Sequence, residues 1–154
     1  SVGEGMNGMT STTHQRSIHI DAPVEKVFDY VKDPQRQFDA YYQKETPTIS
    51  DQQMTPDAGQ GSTWRWHGHL MFIHFSGTNT REEYVPNERF VDRSSTGVLV
   101  TFTFEPDEAG TTLTIAAEVS SKVPFLDKVE DKVAWKGDRD LDTWLGNLKK
   151  AIEG

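Results

Sequence analysis

The stretch PFLDKVEDKVAWKGDRDLDTWLGNLKKAIE, residues 124–153, decides how the rest of the chain must be arranged. As one helix it would run ~45 Å at the usual rise per residue, enough to cross a small domain. Pro124 suits a first helical position, whose N–H needs no partner. At ~100° per residue, Leu126, Val129, Val133, Leu141, Trp144, Leu148 and Ala151 share one broad face, with Lys128, Asp131, Lys132, Arg139, Lys149 and Lys150 opposite. The apolar face has to be buried against something. Two residues on it depart from a plain core stripe: Glu130 points inward, and Gly137 sits at the centre between Val133 and Leu141. A glycine there costs ~1 kcal/mol relative to alanine. It either permits a kink or close helix-to-sheet contact, or keeps a hollow open above the covered surface.

The surface to be covered is written in the preceding hundred residues. Residues 1–13 are Gly, Ser, Thr and Asn with little apolar content and read as a disordered tail; residues 14–154 read as a single domain. His14 to Asp21 alternates as a strand with Ile18 and Ile20 inward. Asp21-Ala-Pro starts a helix with Val24, Val27, Phe28 and Val31 on one face, and Asp33-Pro34 stops it and opens a second short helix carrying Phe38, Tyr41 and Tyr42. From Thr46 onward the chain reads as strands. Ser62 to Phe75 sets Trp64, Trp66, Gly68, Leu70 and Phe72 against Thr63, Arg65, His67 and His69, and its apolar end suggests cover on both sides or an interface. Gly77 to Val85 is unusually polar. Val98 to Glu105 alternates with Val98, Val100, Phe102 and Phe104 inward, and after a hairpin loop Thr111 to Ser121 returns with Leu113, Ile115, Ala117 and Val119. Six or seven consecutive strands make an antiparallel sheet with one apolar face. A twisted sheet of that width curls around its covering helix, and Gly137 at the middle of that helix favours a space between them. The class is α+β.

Bulk properties exclude several functions. The formal charge of −8 opposes a phosphate backbone or an anionic membrane surface, and no basic stripe offsets it. No apolar run approaches the ~20 residues of a membrane span, and the start lacks the apolar segment of a signal peptide. The expectation is therefore a cytoplasmic protein, monomer or homodimer, without nucleic-acid partners or stable membrane insertion. With no cysteine, disulfides, thiolate metal sites and cysteine nucleophiles are out.

The order of elements resembles the helix-grip fold of the START-like (SRPBCC) superfamily, in its polyketide cyclase/dehydrase and lipid-transport branch. The residues that carry the resemblance are Arg16-Ser-Ile-His-Ile-Asp-Ala-Pro23 with Val24, Val27 and Phe28, Asp33-Pro34, Gly61-Ser-Thr-Trp-Arg-Trp66, and Glu83-Tyr-Val-Pro86 with Arg89-Phe90. Thr101-Phe-Thr-Phe-Glu-Pro106, Gly110-Thr-Thr-Leu-Thr114 and Thr143-Trp-Leu-Gly-Asn-Leu-Lys-Lys150 complete it. The resemblance spans residues 14–153. It implies a curved six- to seven-stranded sheet around a long C-terminal helix, with an apolar small molecule such as a lipid, sterol or polyketide held between them. Some members are enzymes, and fold alone does not choose.

The resemblance thus implies binding or transport of a hydrophobic ligand in an internal cavity of at least ~300 Å³. A cyclase/dehydratase-type enzyme or a protein-interaction module is the alternative. The lining residues expected are Trp64, Trp66, Phe72, Arg81, Tyr84, Phe102, Glu130, Val133, Gly137 and Leu141. In the polar strand either Thr78, Thr80, Glu82 and Tyr84 or Asn79, Arg81 and Glu83 face inward, unless it is an edge strand and both faces are solvated. An inward Arg81 would need a carboxylate such as Glu83 or Glu130, and a carboxylate and base facing a ketone are the minimum for acid/base catalysis. No catalytic motif is present. His67 and His69 share a face with the cationic Arg65, so a solvated pair is favoured over a metal site. No metal or cofactor is expected.

Gly137 tests the hollow directly. If it faces open space, Gly137→Leu keeps or raises stability, by up to ~1 kcal/mol from helix propensity, while an apolar probe dye loses affinity. A glycine that serves tight packing gives the opposite sign, ~1–3 kcal/mol of destabilisation from overpacking with dye binding intact. A denaturant melt run beside a dye titration reads both.

Overall fold

The computed structural model describes residues 11–42, 46–70, 73–120 and 138–154. Phe72, Glu130, Val133, Gly137 and the first half of the expected C-terminal helix fall outside them. Seven strands, β1 (Ser11–Ile20), β2 (Thr48–Gln53), β3 (Thr63–Leu70), β4 (Ile73–Val85), β5 (Arg89–Ser94), β6 (Val98–Asp107) and β7 (Gly110–Ser120), form one antiparallel sheet. Its order is β1-β7-β6-β5-β4-β3-β2, a meander from β2 to β7 with β1 added beside β7. Helices α1 (Val24–Val31) and α2 (Pro34–Tyr41) follow β1, and α3 (Asp138–Glu153) ends the chain.

Local chemistry accounts for these elements. Asp33 caps α2 by accepting from the Gln35 N–H at 2.9 Å, and Pro34 occupies the first turn, where it forfeits no hydrogen bond. The same proline ends α1, because the residue before it is pushed to extended backbone. α1 buries Val27, Phe28 and Val31. Phe28 meets Phe90 of β5 and Phe104 of β6 edge-on, with ring centroids 5.8 and 5.0 Å apart.

Three expectations need correction. β1 begins at Ser11 rather than His14, because Ser11 to Thr13 pair with Ser120 to Glu118 of β7. The long run from Ser62 is two strands: Leu70 of β3 pairs with Ile73 of β4, so the chain reverses within what read as one strand. No Gly, Pro or Asn stands in the sequence between Leu70 and Ile73 to announce a turn. On α3 the buried residues are Leu141, Trp144, Leu145, Leu148 and Ile152, while Ala151 is exposed. The stripe centres on the leucines, and the small Ala151 lies at its margin.

α3 is bolted to its neighbours by side chains that reach their backbones. Trp144 Nε1 donates to Gln37 O at 3.1 Å and Asn147 Nδ2 to Ala40 O at 2.9 Å, both on α2. At the other end Lys149 Nζ donates to His19 O at 2.7 Å, and Glu153 accepts from the Asp21 N–H at 2.7 Å. The core between helices and sheet is apolar and aromatic, with Phe102 stacked on Phe90 at 4.6 Å and edge-on to Trp144 at 5.6 Å.

The β1 end of this clamp is sensitive to pH. His19 Nδ1 lies 2.8 Å from Asp107 of β6 and Nε2 lies 2.7 Å from Asp21. Carboxylates only accept, so both ring nitrogens must carry protons, and the hydrogen bonds to Asp107 and then Asp21 raise the imidazole pKa. The same contact holds Asp107 below the usual carboxylate range, and the Asp21 N–H followed by Lys149 does so for Glu153. Stability from His19 is fully present below the unfolded imidazole value and is lost as pH rises through the raised one; that from Asp107 and Glu153 is lost as pH falls through their lowered values. The amide protection factors of the last turn of α3, that is, exchange rates divided by the intrinsic base-catalysed rates, should fall on the alkaline side of a mildly acidic to mildly alkaline series. His19→Ala should flatten that limb.

Candidate ligand-binding site

β3 turns Trp64 and Trp66 to the concave face and Arg65 and His67 to solvent. Trp66 stands opposite Gly77 of β4, and its indole lies across that residue: a Cβ on Gly77 would fall 2.5 Å from the ring. Glycine is what lets the tryptophan lie flat on the sheet. Trp66 Nε1 donates to Asn79 Oδ1 at 2.9 Å, and Phe38 of α2 meets the ring edge-on at 6.2 Å. Tyr41 and Tyr42 continue this aromatic wall at the end of α2, their rings 4.8 Å apart. Burial pushes the Tyr42 hydroxyl up to about 12 and raises that of Tyr41 as well, so both phenols stay neutral donors.

Trp64 is fully buried, and its Nε1 has no hydrogen-bond partner. An unsatisfied buried donor costs ~1–3 kcal/mol.

Arg81 joins the tryptophans to the core. Its side chain is fully buried, with Nε 2.7 Å from Asp92 Oδ1 and Nη2 3.0 Å from Asp92 Oδ2. Nη1 donates to Lys32 O at the end of α1 (3.0 Å) and to Ala58 O in the loop before β3 (2.9 Å). The guanidinium also lies 4.1 Å from the Phe90 ring centroid and 5.2 Å from that of Trp64. Burial pushes the Asp92 carboxyl up, against the hydrogen bonds from Arg81 and Gln37 that favour its charged form. The bidentate geometry is that of a carboxylate and a guanidinium.

The polar strand thus does what neither expected face would do alone. β4 lies between β3 and β5, so it is no edge strand and solvation of both faces does not apply. Asn79 and Arg81 turn inward, and the register with β5 then shifts between Arg81 and Glu83. This bulge re-aims the side chains that follow. Beyond it Tyr84 packs on Phe28 at 5.5 Å and donates to Asp57 O at 3.0 Å. Glu82 and Glu83 pair outside with Arg93 (2.6 Å) and Arg89 (3.2 Å). Glu83 is therefore not the partner of Arg81.

Of the residues expected to line a pocket, Trp64, Trp66 and Arg81 come together on the concave face, and Tyr84 closes the loop side. Phe102 and Leu141 belong to the packed core. Sequence reasoning missed Asp92 and Gln37, and offered Asn79 only within one of two alternative inward faces of the polar strand. Asp92 stands two residues after the buried Phe90 on β5, hence on the same face, and that spacing could have revealed it. An open surface groove of ≈ 630 Å³ lies elsewhere, near Val24, Pro86, Arg89 and Phe104. Among the described residues no three metal-ligating side chains converge, and no helix is long and apolar enough to cross a membrane.

The buried pair carries a testable asymmetry. Arg81→Leu leaves Asp92 buried without its counter-ion and should cost ~3–5 kcal/mol in a denaturant melt. Adding Asp92→Leu should recover much of that loss, because the uncompensated charge is gone.

A profile of the family described as polyketide cyclase / dehydrase and lipid transport matches residues 11–153. Among solved structures, the chain is similar to protein CV1439 from Chromobacterium violaceum, with a TM-score of 0.66 and 19% identity over 93% of this chain and 99% of that one. It is also similar to protein BH1534 from Bacillus halodurans, with a TM-score of 0.64 and 17% identity over 92% and 97% of the two chains. Ms6760 from Mycobacterium smegmatis gives 0.65 and 13%, over 91% and 90%. At these identities the likeness shows the fold alone. No match was found among curated proteins. The match of the family profile from the start of β1 to the end of α3 shows that the chain belongs to the polyketide cyclase/dehydrase and lipid transport family, with the helix-grip fold its sequence resembles.

Proposed function

We propose that this protein binds a hydrophobic small molecule between the concave face of the sheet and the C-terminal helix. The observation that carries this reading is the aromatic wall on the β3–β4 half of that face: Trp64, and Trp66 laid over Gly77, with Phe38 and Tyr42 above. The described part of α3 packs on α2 and β1, with lesser contacts to α1 and β7, and its side chains fill the other half of the concave face. A wall of indole, phenyl and phenol rings that meets the helix through Tyr41 and Trp144, 5.0 Å apart, suits an apolar ligand with few polar contacts. The family assignment supports the same class of ligand.

Binding rather than catalysis is favoured by the state of the one buried ion pair on this face among the described residues. Acid/base chemistry needs groups free to exchange protons with a substrate. Arg81 and Asp92 are engaged with each other and with Lys32, Ala58 and Gln37.

Protein purified from its own host should carry a bound small molecule in native mass spectrometry, at one per chain. Organic extraction should release it, and the emptied protein should take up one apolar probe dye that the extract displaces. Protein that carries no ligand and takes up no probe would overturn the reading.

A further inference from the structure

The one buried side-chain donor without a partner among the described residues is the Trp64 indole N–H. The polar side chains placed near it are engaged with other partners. The guanidinium of Arg81, at 5.2 Å from the ring, has donors only. Asn79, directly across the strand pair from Trp64, already accepts from Trp66 through Oδ1. Both carboxylate oxygens of Asp92 are taken by Arg81. No acceptor therefore lies within hydrogen-bond distance of Trp64 Nε1.

The charge at this place is also closed. Arg81 is neutralised by Asp92 at 2.7 and 3.0 Å, and two further donors of its guanidinium serve backbone carbonyls. An anionic headgroup brought here would find no uncommitted cation on the described wall, and a buried charge without a partner is strongly disfavoured. A neutral oxygen meets no such penalty.

The geometry points to a ligand that is uncharged and carries a ketone, ester or similar oxygen, accepting a hydrogen bond from Trp64 Nε1. This rests on the proposed binding function and narrows it: the site selects a neutral oxygenated hydrophobe over both a plain hydrocarbon and a carboxylate of the same shape. A site with an unpaired buried donor penalises the analogue that lacks the acceptor. Trp64 is then a specificity residue, and Trp66, whose N–H is committed to Asn79, is wall.

The test uses three ligands of one shape: fluorene, 9-fluorenone and fluorene-9-carboxylate, each competed against an apolar fluorescent probe on the full chain. Fluorenone should bind about tenfold or more tightly than fluorene, and the carboxylate weakest. Among the four tryptophan indole N–H resonances in a ¹⁵N correlation spectrum, the one lost in Trp64→Phe should move with fluorenone and stay with fluorene. In Trp64→Phe the two neutral ligands should bind alike; if that variant fails to fold, the wild-type affinity ratio and spectrum still decide. Fluorene and fluorenone binding equally, with every indole resonance unmoved, would overturn this inference and leave the hydrophobic-ligand reading standing. If all three fail to displace the probe and no molecule co-purifies, both are overturned.

Discussion

A buried arginine is expensive to place, and the rest of this structure is arranged around the one at position 81. Its guanidinium is held on three sides: by Asp92 on the next strand, by the carbonyl that ends α1, and by the loop that leads into β3. Each partner comes from a different stretch of chain. Satisfying the charge therefore fixes the end of α1, the loop before β3 and the register of β4 against β5 at once. Gln37 extends the constraint: its side chain donates to Val31 O, and its backbone carbonyl receives the Trp144 indole of α3. The short α1–α2 pair is positioned by these polar contacts as well as by the buried Val27, Phe28 and Val31.

The arrangement divides the concave face. On the β5–β6–β7 side, Phe90, Phe102 and Phe104 stack under Phe28 and Trp144, and α3 seals them. On the β3–β4 side, two tryptophans lie along the sheet with the phenol rings of α2 nearby. Arg81 sits at the seam, over Phe90 and Trp64. A charge pair there is costly unless every donor is used, and its satisfaction lets two different environments share one face. One is a packed interior. The other is a wall whose polar atoms are few and, at Trp64, unanswered.

Outside the sheet, the polar residues do local work. Glu82 and Glu83 pair with Arg93 and Arg89 across β4 and β5. His19, Asp21, Asp107, Lys149 and Glu153 knit the end of α3 to β1 and the β6–β7 hairpin. Exposed pairs of this kind contribute little each, and here they join the last turn of α3 to β1 and the residue after it.

Much of the fold was legible in the sequence because it rests on period and punctuation. Alternation in Val98 to Phe104 and Leu113 to Ala117 specified two strands and their inner face, and Asp33-Pro34 specified the break between two helices. Trp64 and Trp66 were placed on the concave face by the same alternation. What local pattern could not hold was anything that depends on a partner distant in the chain. The reversal between Leu70 and Ile73 follows from strand pairing, since no turn residue marks it. Which side chains of β4 point inward was decided by a bulge, and a bulge is a property of two strands in register. The identity of Arg81's partner was decided the same way: Glu83 is nearer in sequence, but only Asp92 lies opposite it on the buried face. Periodicity assigns a residue to a face, whereas pairing and desolvation decide what it meets there.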